Sequence, residues 1–127
     1  MAGHALTAPG SDRVRLAHLA LDAALAVDGV LAADAGPRGM HVTVSGATVL
    51  RGVRVAAEPG DCYSVDLGLR ARMVALPALA DVVRARIARS AQIAGSGNLV
   101  GSISVTFHDV VDDSQFSAHV LTAEVDR

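Results

Sequence analysis

The stretch CYSVDLGLRARM, residues 62–73, decides the fold of this chain. Apolar side chains alternate in it with polar or small ones, which is the pattern of a β-strand with one face against a core. The apolar set is Tyr63, Val65, Leu67, Leu69, Ala71 and Met73, and the other set is Cys62, Ser64, Asp66, Gly68, Arg70 and Arg72. The second set therefore faces water or a partner.

The residues that follow predict a helix and then another strand. Leu76-Pro77 suits the first turn of a helix, where the missing N–H of proline removes no hydrogen bond. The apolar line of this helix is Leu76, Leu79, Val83 and Ile87. Alternation returns in residues 103–107, after a glycine-rich turn at residues 95–98. A strand, a helix and a strand in this order imply a parallel pair with a right-handed crossover.

Upstream of residue 62, the sequence predicts a helix and two shorter strands. The helix follows an N-cap at Ser11 and ends at Gly29. Its buried stripe is Leu16, Leu19, Ala20, Ala23 and Val27. Residues 51–57 read as a strand, and a turn-rich region before them holds one strand at residues 41–44.

These elements predict an α+β fold, with two helices packed on one face of a small mixed β-sheet in the order α-β-β-β-α-β. Residues 12–111 form the single domain, which a chain of 127 residues accommodates. Residues 1–11 are expected to be a flexible N-terminal lead. Residues 112–127 form a C-terminal tail whose spacing does not decide between a strand and a short helix.

The first helix carries a second apolar stripe, formed by Val14, Leu21 and Leu25. At about 100° per residue it lies nearly opposite the first stripe, so one sheet cannot cover both. Two covers remain open at equal weight: the C-terminal tail, or another protein molecule. We therefore regard Val14, Leu21 and Leu25 as a candidate protein interface.

Composition excludes several classes of function. The net charge of −2 is too small for a dedicated nucleic-acid binder, and the scarcity of aromatic residues argues against base stacking. The chain contains no lysine, which removes Schiff-base and P-loop chemistry. Its N-terminus does not read as a secretory signal, and the longest apolar stretch, residues 16–27, is too short to span a bilayer. We expect a cytoplasmic protein without direct membrane insertion.

No residue pattern predicts a catalytic, cofactor or metal site. Cys62 is the one candidate nucleophile, with His41 or His108 as its base. No cysteine-enzyme signature surrounds it. The histidines do not have metal-ligand spacing. The glycines at residues 95–101 follow a helix, whereas phosphate loops follow a strand and open a helix. We therefore expect no enzyme, no cofactor and no metal.

The outward face of the predicted sheet offers one polar cluster. Arg54, Asp66, Arg70 and His108 alternate with core-facing residues of three strands. If this open sheet face were concave, these four side chains would suit a small-molecule enzyme. That interpretation is one alternative for the function.

Five phrases along the chain carry a family resemblance. They are Val27-Asp28-Gly29-Val30, Arg51-Gly52-Val53-Arg54-Val55, Ser64-Val65-Asp66-Leu67, Leu76-Pro77, and Ser104-Val105-Thr106-Phe107-His108-Asp109-Val110. In this order and spacing they resemble the alkaline shock protein family of bacterial envelope stress response proteins. Two departures stand out: Met73-Val74-Ala75 replaces a tyrosine-glycine pair, and the turn-rich insert at residues 35–47 is longer than the family pattern.

The resemblance implies a non-enzymatic adaptor or scaffold in envelope stress. Such a protein forms homo-oligomers, and a small transmembrane anchor protein holds it at the inner face of the cell membrane. The family brings no active site to carry over. The other alternative is a KH-like RNA-binding module, which needs a Gly-x-x-Gly clamp between two helices. Neither Gly36-Pro37-Arg38-Gly39 nor Gly95-Ser96-Gly97 lies between two predicted helices.

Overall fold

The fold is given by a computed structural model that describes residues 9–112. Its elements are α1 Pro9–Leu25, β1 Val30–Ala33, β2 Val42–Ser45, β3 Thr48–Arg51, β4 Val53–Glu58, β5 Cys62–Arg72, α2 Leu76–Ile93 and β6 Val100–Val111, with a 3-10 turn at Gly97–Leu99 before β6. Residues 1–8 of the expected N-terminal lead and residues 113–127 of the expected C-terminal tail lie outside the described residues.

The predicted central strand is β5, and it organises the main sheet. It pairs antiparallel with β1 through residues 69–71 and with β4 through residues 62–67. Its other edge pairs in parallel with β6 along residues 63–72. The parallel pair expected from the order strand, helix, strand is therefore confirmed. The hairpin of β2 and β3 forms a separate small sheet.

Both helices bury apolar stripes against this sheet and against each other. In β5 the alternate residues from Tyr63 to Ala71 are buried, as the alternation predicts. The prediction is wrong for Met73, which lies just beyond the end of β5 and is 62% exposed. The buried residues of α1 include Leu16, Ala20 and Ala23 from the predicted stripe; Val27, the last member of that stripe, is also buried but lies beyond the end of the helix. Those of α2 include Leu79, Val83 and Ile87. The α+β class is confirmed, with a core of small and branched aliphatic side chains.

The element order differs from the prediction in detail. Five strands instead of three separate the helices; the sequence pattern did not predict β1 and β3. The predicted strand at residues 51–57 is divided at Gly52, whose left-handed φ of 94° turns the chain from β3 into β4. The first helix begins at Pro9, so Ser11 lies inside it and is not its N-cap. Proline suits a first helical position, which explains the earlier start.

Gly68 of β5 bonds through its backbone to two neighbouring segments, and the loop of residues 34–41 passes over it on the polar face. The Gly68 N–H donates to Gly52 O at 2.8 Å, and the Asp34 N–H donates to Gly68 O at 2.8 Å. A Cβ at Gly68 would collide with the carbonyl oxygen of Asp34 and lie 2.9 Å from the His108 ring. The absence of a side chain at Gly68 therefore allows this loop to rest on the sheet.

We predict that Gly68→Ala destabilises the fold by about 2–3 kcal/mol, because the added methyl group overpacks a contact with backbone that cannot move freely. The matched control is Gly39→Ala, where a Cβ meets nothing within 4 Å and only the positive φ of 63° opposes the change. That control should lose about 1 kcal/mol. Urea denaturation measures both, and an equal loss in the two variants would contradict the steric account.

Candidate functional site

The polar face of the sheet brings together two histidines that are 67 residues apart in sequence. His108 Nε2 and His41 Nδ1 lie 2.9 Å apart, so one nitrogen donates a hydrogen bond to the other. The ring centroids are 4.8 Å apart, with the rings inclined at 58°. Both side chains are half-buried.

Local backbone features place each ring. The β5–β6 register passes from Leu69 opposite Phe107 to Arg70 opposite Asp109, so His108 is an extra residue at a β-bulge. His41 precedes β2; its N–H donates to Ala35 O at 3.1 Å, and its carbonyl accepts the Gly52 N–H at 2.7 Å. Its backbone is therefore fixed on both sides.

Two glycines make room for the His108 ring. A Cβ at Gly36 would lie 2.8 Å from His108 Nε2, and a Cβ at Gly68 would be almost as close to the ring. The ring consequently lies between the 34–41 loop and β5. A hydrogen bond within the loop stabilises its conformation: the Gly36 N–H donates to Asp34 Oδ1 at 2.8 Å.

The surroundings lower the pKa of His41 below its ordinary value of 6.5. Burial is the main cause, because it disfavours the charged imidazolium, and the neighbouring charge of His108 acts in the same direction. Arg54 lowers the pKa further, while Asp66 and Asp34 oppose the shift. If both rings were charged, both facing nitrogens would carry protons and the hydrogen bond would be lost, so the pair requires at least one neutral imidazole.

The four residues predicted for the open sheet face lie on it, but they mostly pair with one another or with neighbours. Arg54 and Asp66 are cross-strand partners, with Nη1 and Oδ2 3.7 Å apart. Asp66 Oδ1 also accepts the Ser104 hydroxyl at 2.9 Å. Arg70 pairs with Asp109 at 3.2 Å. Because these ion pairs are partly exposed to solvent, each contributes little to stability.

A pocket of about 290 Å³ adjoins the histidine pair. It is lined by Ala35, Gly36, Pro37, Arg38, Met40, His41 and His108. Most of this lining comes from the insert at residues 35–47. The pocket is largely apolar, with two imidazoles and one guanidinium as its polar groups, a combination that suits a small aromatic or aliphatic anion.

Cys62 is separated from the histidines. It begins β5, whereas His108 lies level with residues 69 and 70, roughly 23 Å further along the strand. Its Sγ lies 3.8 Å from Glu58 Oε1 and 3.7 Å from Pro59 O. Neither His108 nor His41 can therefore serve as its base. A pocket of about 380 Å³ lies at this end of the sheet, lined in part by Cys62, Glu58 and Asp61.

The described residues hold no group of three or more His, Cys, Asp or Glu side chains placed to bind a metal. The His41–His108 pair supplies two imidazoles, fewer than the ligands that a structural zinc site uses.

The candidate interface on α1 is partly open. Val14 and Leu21 are half-buried, and Leu21 packs on the edge of the core. Leu25 is 45% exposed. Arg13, on the neighbouring turn, donates to Val44 O at 2.9 Å and so ties α1 to the β2–β3 hairpin.

Sequence reasoning missed the role of His41, which it considered only as a base for Cys62. No local signal marks the pair, because His41 and His108 meet only through the return of the insert across the sheet. The one hint was the unusual length of that insert.

Comparisons of the chain with known protein families, with curated proteins and with solved structures give no match. Within residues 9–112, the helices are too short or too polar for any of them to cross a bilayer.

We predict that acidification destabilises the folded chain through His41. Between the lowered pKa of folded His41 and the unfolded value of 6.5, the unfolded chain binds more protons. The contribution is therefore fully present above pH 6.5 and is lost as the pH falls through this window. The free energy of unfolding, measured by urea from pH 8 to pH 5, should show this decline.

His41→Asn removes the titrating ring and keeps a neutral side-chain amide near the position of Nδ1, so this variant should show a flatter decline. His18→Asn, at an exposed histidine of α1, is the matched control and should behave as the original chain. Identical pH profiles for His41→Asn and the original chain would contradict the assignment.

Proposed function

We propose that this protein is a non-enzymatic envelope stress response protein of the alkaline shock type. It works in the cytoplasm as a self-associating adaptor, and a small transmembrane anchor protein holds it at the inner face of the membrane. The five sequence phrases that resemble the family support this proposal, and the α+β fold accommodates all of them in its regular elements or at their ends.

The observation that carries the proposal is the uncovered side of α1. One side of this helix is buried in the core, with Leu16, Ala17 and Ala20 almost inaccessible. On the other side, Leu25 keeps nearly half of its surface exposed. An apolar stripe that the described part of its own domain leaves partly open is typical of a protein contact surface. A second copy of the chain is the occupant that self-association requires.

The arrangement disfavours the RNA-binding alternative. A KH-like clamp joins two helices directly, but five strands separate α1 from α2 here. Gly36 and Gly39 lie between β1 and β2, and Arg38 between them lines the pocket beside the histidines. The arginines of α2 and β5 are also engaged in part: Arg84 pairs with Asp81, and Arg70 with Asp109.

The test is capture of the full chain from gently cross-linked cells of its source. We expect recovery of cross-linked copies of the chain itself together with a small transmembrane protein. Leu25→Arg should lower the recovery of cross-linked copies, because a charge replaces the exposed apolar contact, while a cation at a helix C-terminus leaves the fold intact. Ile93→Arg is the matched control, since Ile93 is 76% exposed at the end of α2.

Recovery of RNA, or of no macromolecule, would overturn the adaptor proposal. Equal cross-linking of Leu25→Arg and Ile93→Arg, with circular dichroism confirming that both are folded, would count against the α1 surface.

The pocket beside His41 and His108 favours one second candidate, the binding of a small anion on the open sheet face. Its apolar lining would hold a hydrocarbon group, and Arg38 would pair with a carboxylate. Benzoate is a suitable probe. Saturable shifts of the His41 and His108 imidazole NMR signals, without a shift at His18, are expected; their absence at millimolar benzoate would reject this candidate.

A further inference from the structure

The outer edge of β6 is a long strand edge on which the described residues place no partner. β6 runs over 12 residues, and its one pairing within residues 9–112 is with β5. In a parallel ladder, alternate residues direct their N–H and C=O groups away from the neighbouring strand. The outer edge of β6 therefore presents a row of backbone donors and acceptors.

In the part of the chain that the structure describes, the middle of this edge lacks the features that usually block strand addition. Register shifts interrupt both ends of β6, between the partners of Tyr63 and Val65 and between those of Leu69 and Arg70. Residues 103–107 between them form a regular stretch with the sequence ISVTF. It contains no charge and no proline, the usual protections of an edge strand.

We propose that residues 103–107 pair antiparallel with the same residues of a second copy, about a two-fold axis at Val105. Two four-stranded sheets would then join into one continuous sheet. The proposal rests on the self-association of the proposed function, and it adds to the α1 contact a second self-contact on a different surface.

The stretch is complementary to itself in this register. Val105 meets Val105 of the other copy, and Ile103 meets Phe107, which gives β-branched and aromatic cross-strand pairs on the helix side. On the polar side Ser104 meets Thr106, so that their hydroxyl groups can bond across the interface. Both faces of the strand therefore find matching partners, as a two-fold contact requires.

Exposure and charge agree with this register. Ile103, Val105 and Phe107 are all only half-buried, although they face the core. Their open sides would be covered by the second copy. The nearest acidic residue of the strand, Asp109, would lie roughly 26 Å from its symmetry mate, at the opposite end of the contact. No like charges meet.

The experiment compares two double variants of the full chain, S104R/T106R and S104R/T106D. Both variants lose the Ser104–Asp66 hydrogen bond, so the loss of stability from this change is the same in each. In the proposed register position 104 faces position 106 of the other copy. The first variant therefore creates two like-charge pairs, and the second creates two opposite-charge pairs.

Sedimentation over a concentration series measures the dissociation constant of each variant. We expect S104R/T106R to dissociate at least about tenfold more readily than S104R/T106D, since two cross-strand pairs change from attraction to repulsion. Amide hydrogen exchange in residues 103–107 of the original chain should slow as concentration rises.

Equal dissociation constants in the two variants would overturn the inference. If Leu25→Arg alone then abolishes association, the proposed function stands with α1 as its surface; if the original chain does not associate at any concentration, both fail. Slow exchange of residues 103–107 that is independent of concentration would also overturn the inference, because the edge would then be covered within one chain.

Discussion

The rest of the structure depends on the pairing of β5 on both of its edges. Because β1, β4 and β6 all bond to this one strand, its alternation of side chains divides the whole domain into two sides. Residues such as Val65 and Leu67 point into the layer of helices and have no exposed surface. The intervening residues, including Asp66 and Gly68, supply the polar face on which the insert rests.

That division explains why the chemically distinctive part of the molecule lies opposite the hydrophobic core. The insert crosses the polar face at Gly68, where the backbone of Asp34 replaces a side chain. His41 is thereby brought to His108, and residues of the insert line an open pocket beside the pair. The same contact moves the pKa of His41 downward, because the ring loses water and gains a basic neighbour.

Two other surfaces remain incompletely covered by the described residues. On α1, Leu25 is exposed beside the half-buried Val14 and Leu21. On β6, backbone groups and half-buried apolar side chains occur together along residues 103–107. Surfaces of this kind are costly for a solitary molecule, since exposed apolar groups and open strand edges favour association. The proposed self-association would use both surfaces.

The sequence by itself determined the α+β class, the extent of β5, the proline-initiated α2 and the parallel return of β6, because each depends on side-chain periodicity within one segment. It also placed Arg54, Asp66, Arg70 and His108 on one face. The tertiary structure alone decided the additional strands β1 and β3 and the meeting of His41 with His108. These features depend on backbone hydrogen bonds between distant segments, such as those of Asp34 with Gly68 and of Gly52 with His41. The periodicity of side chains within one segment does not indicate such contacts.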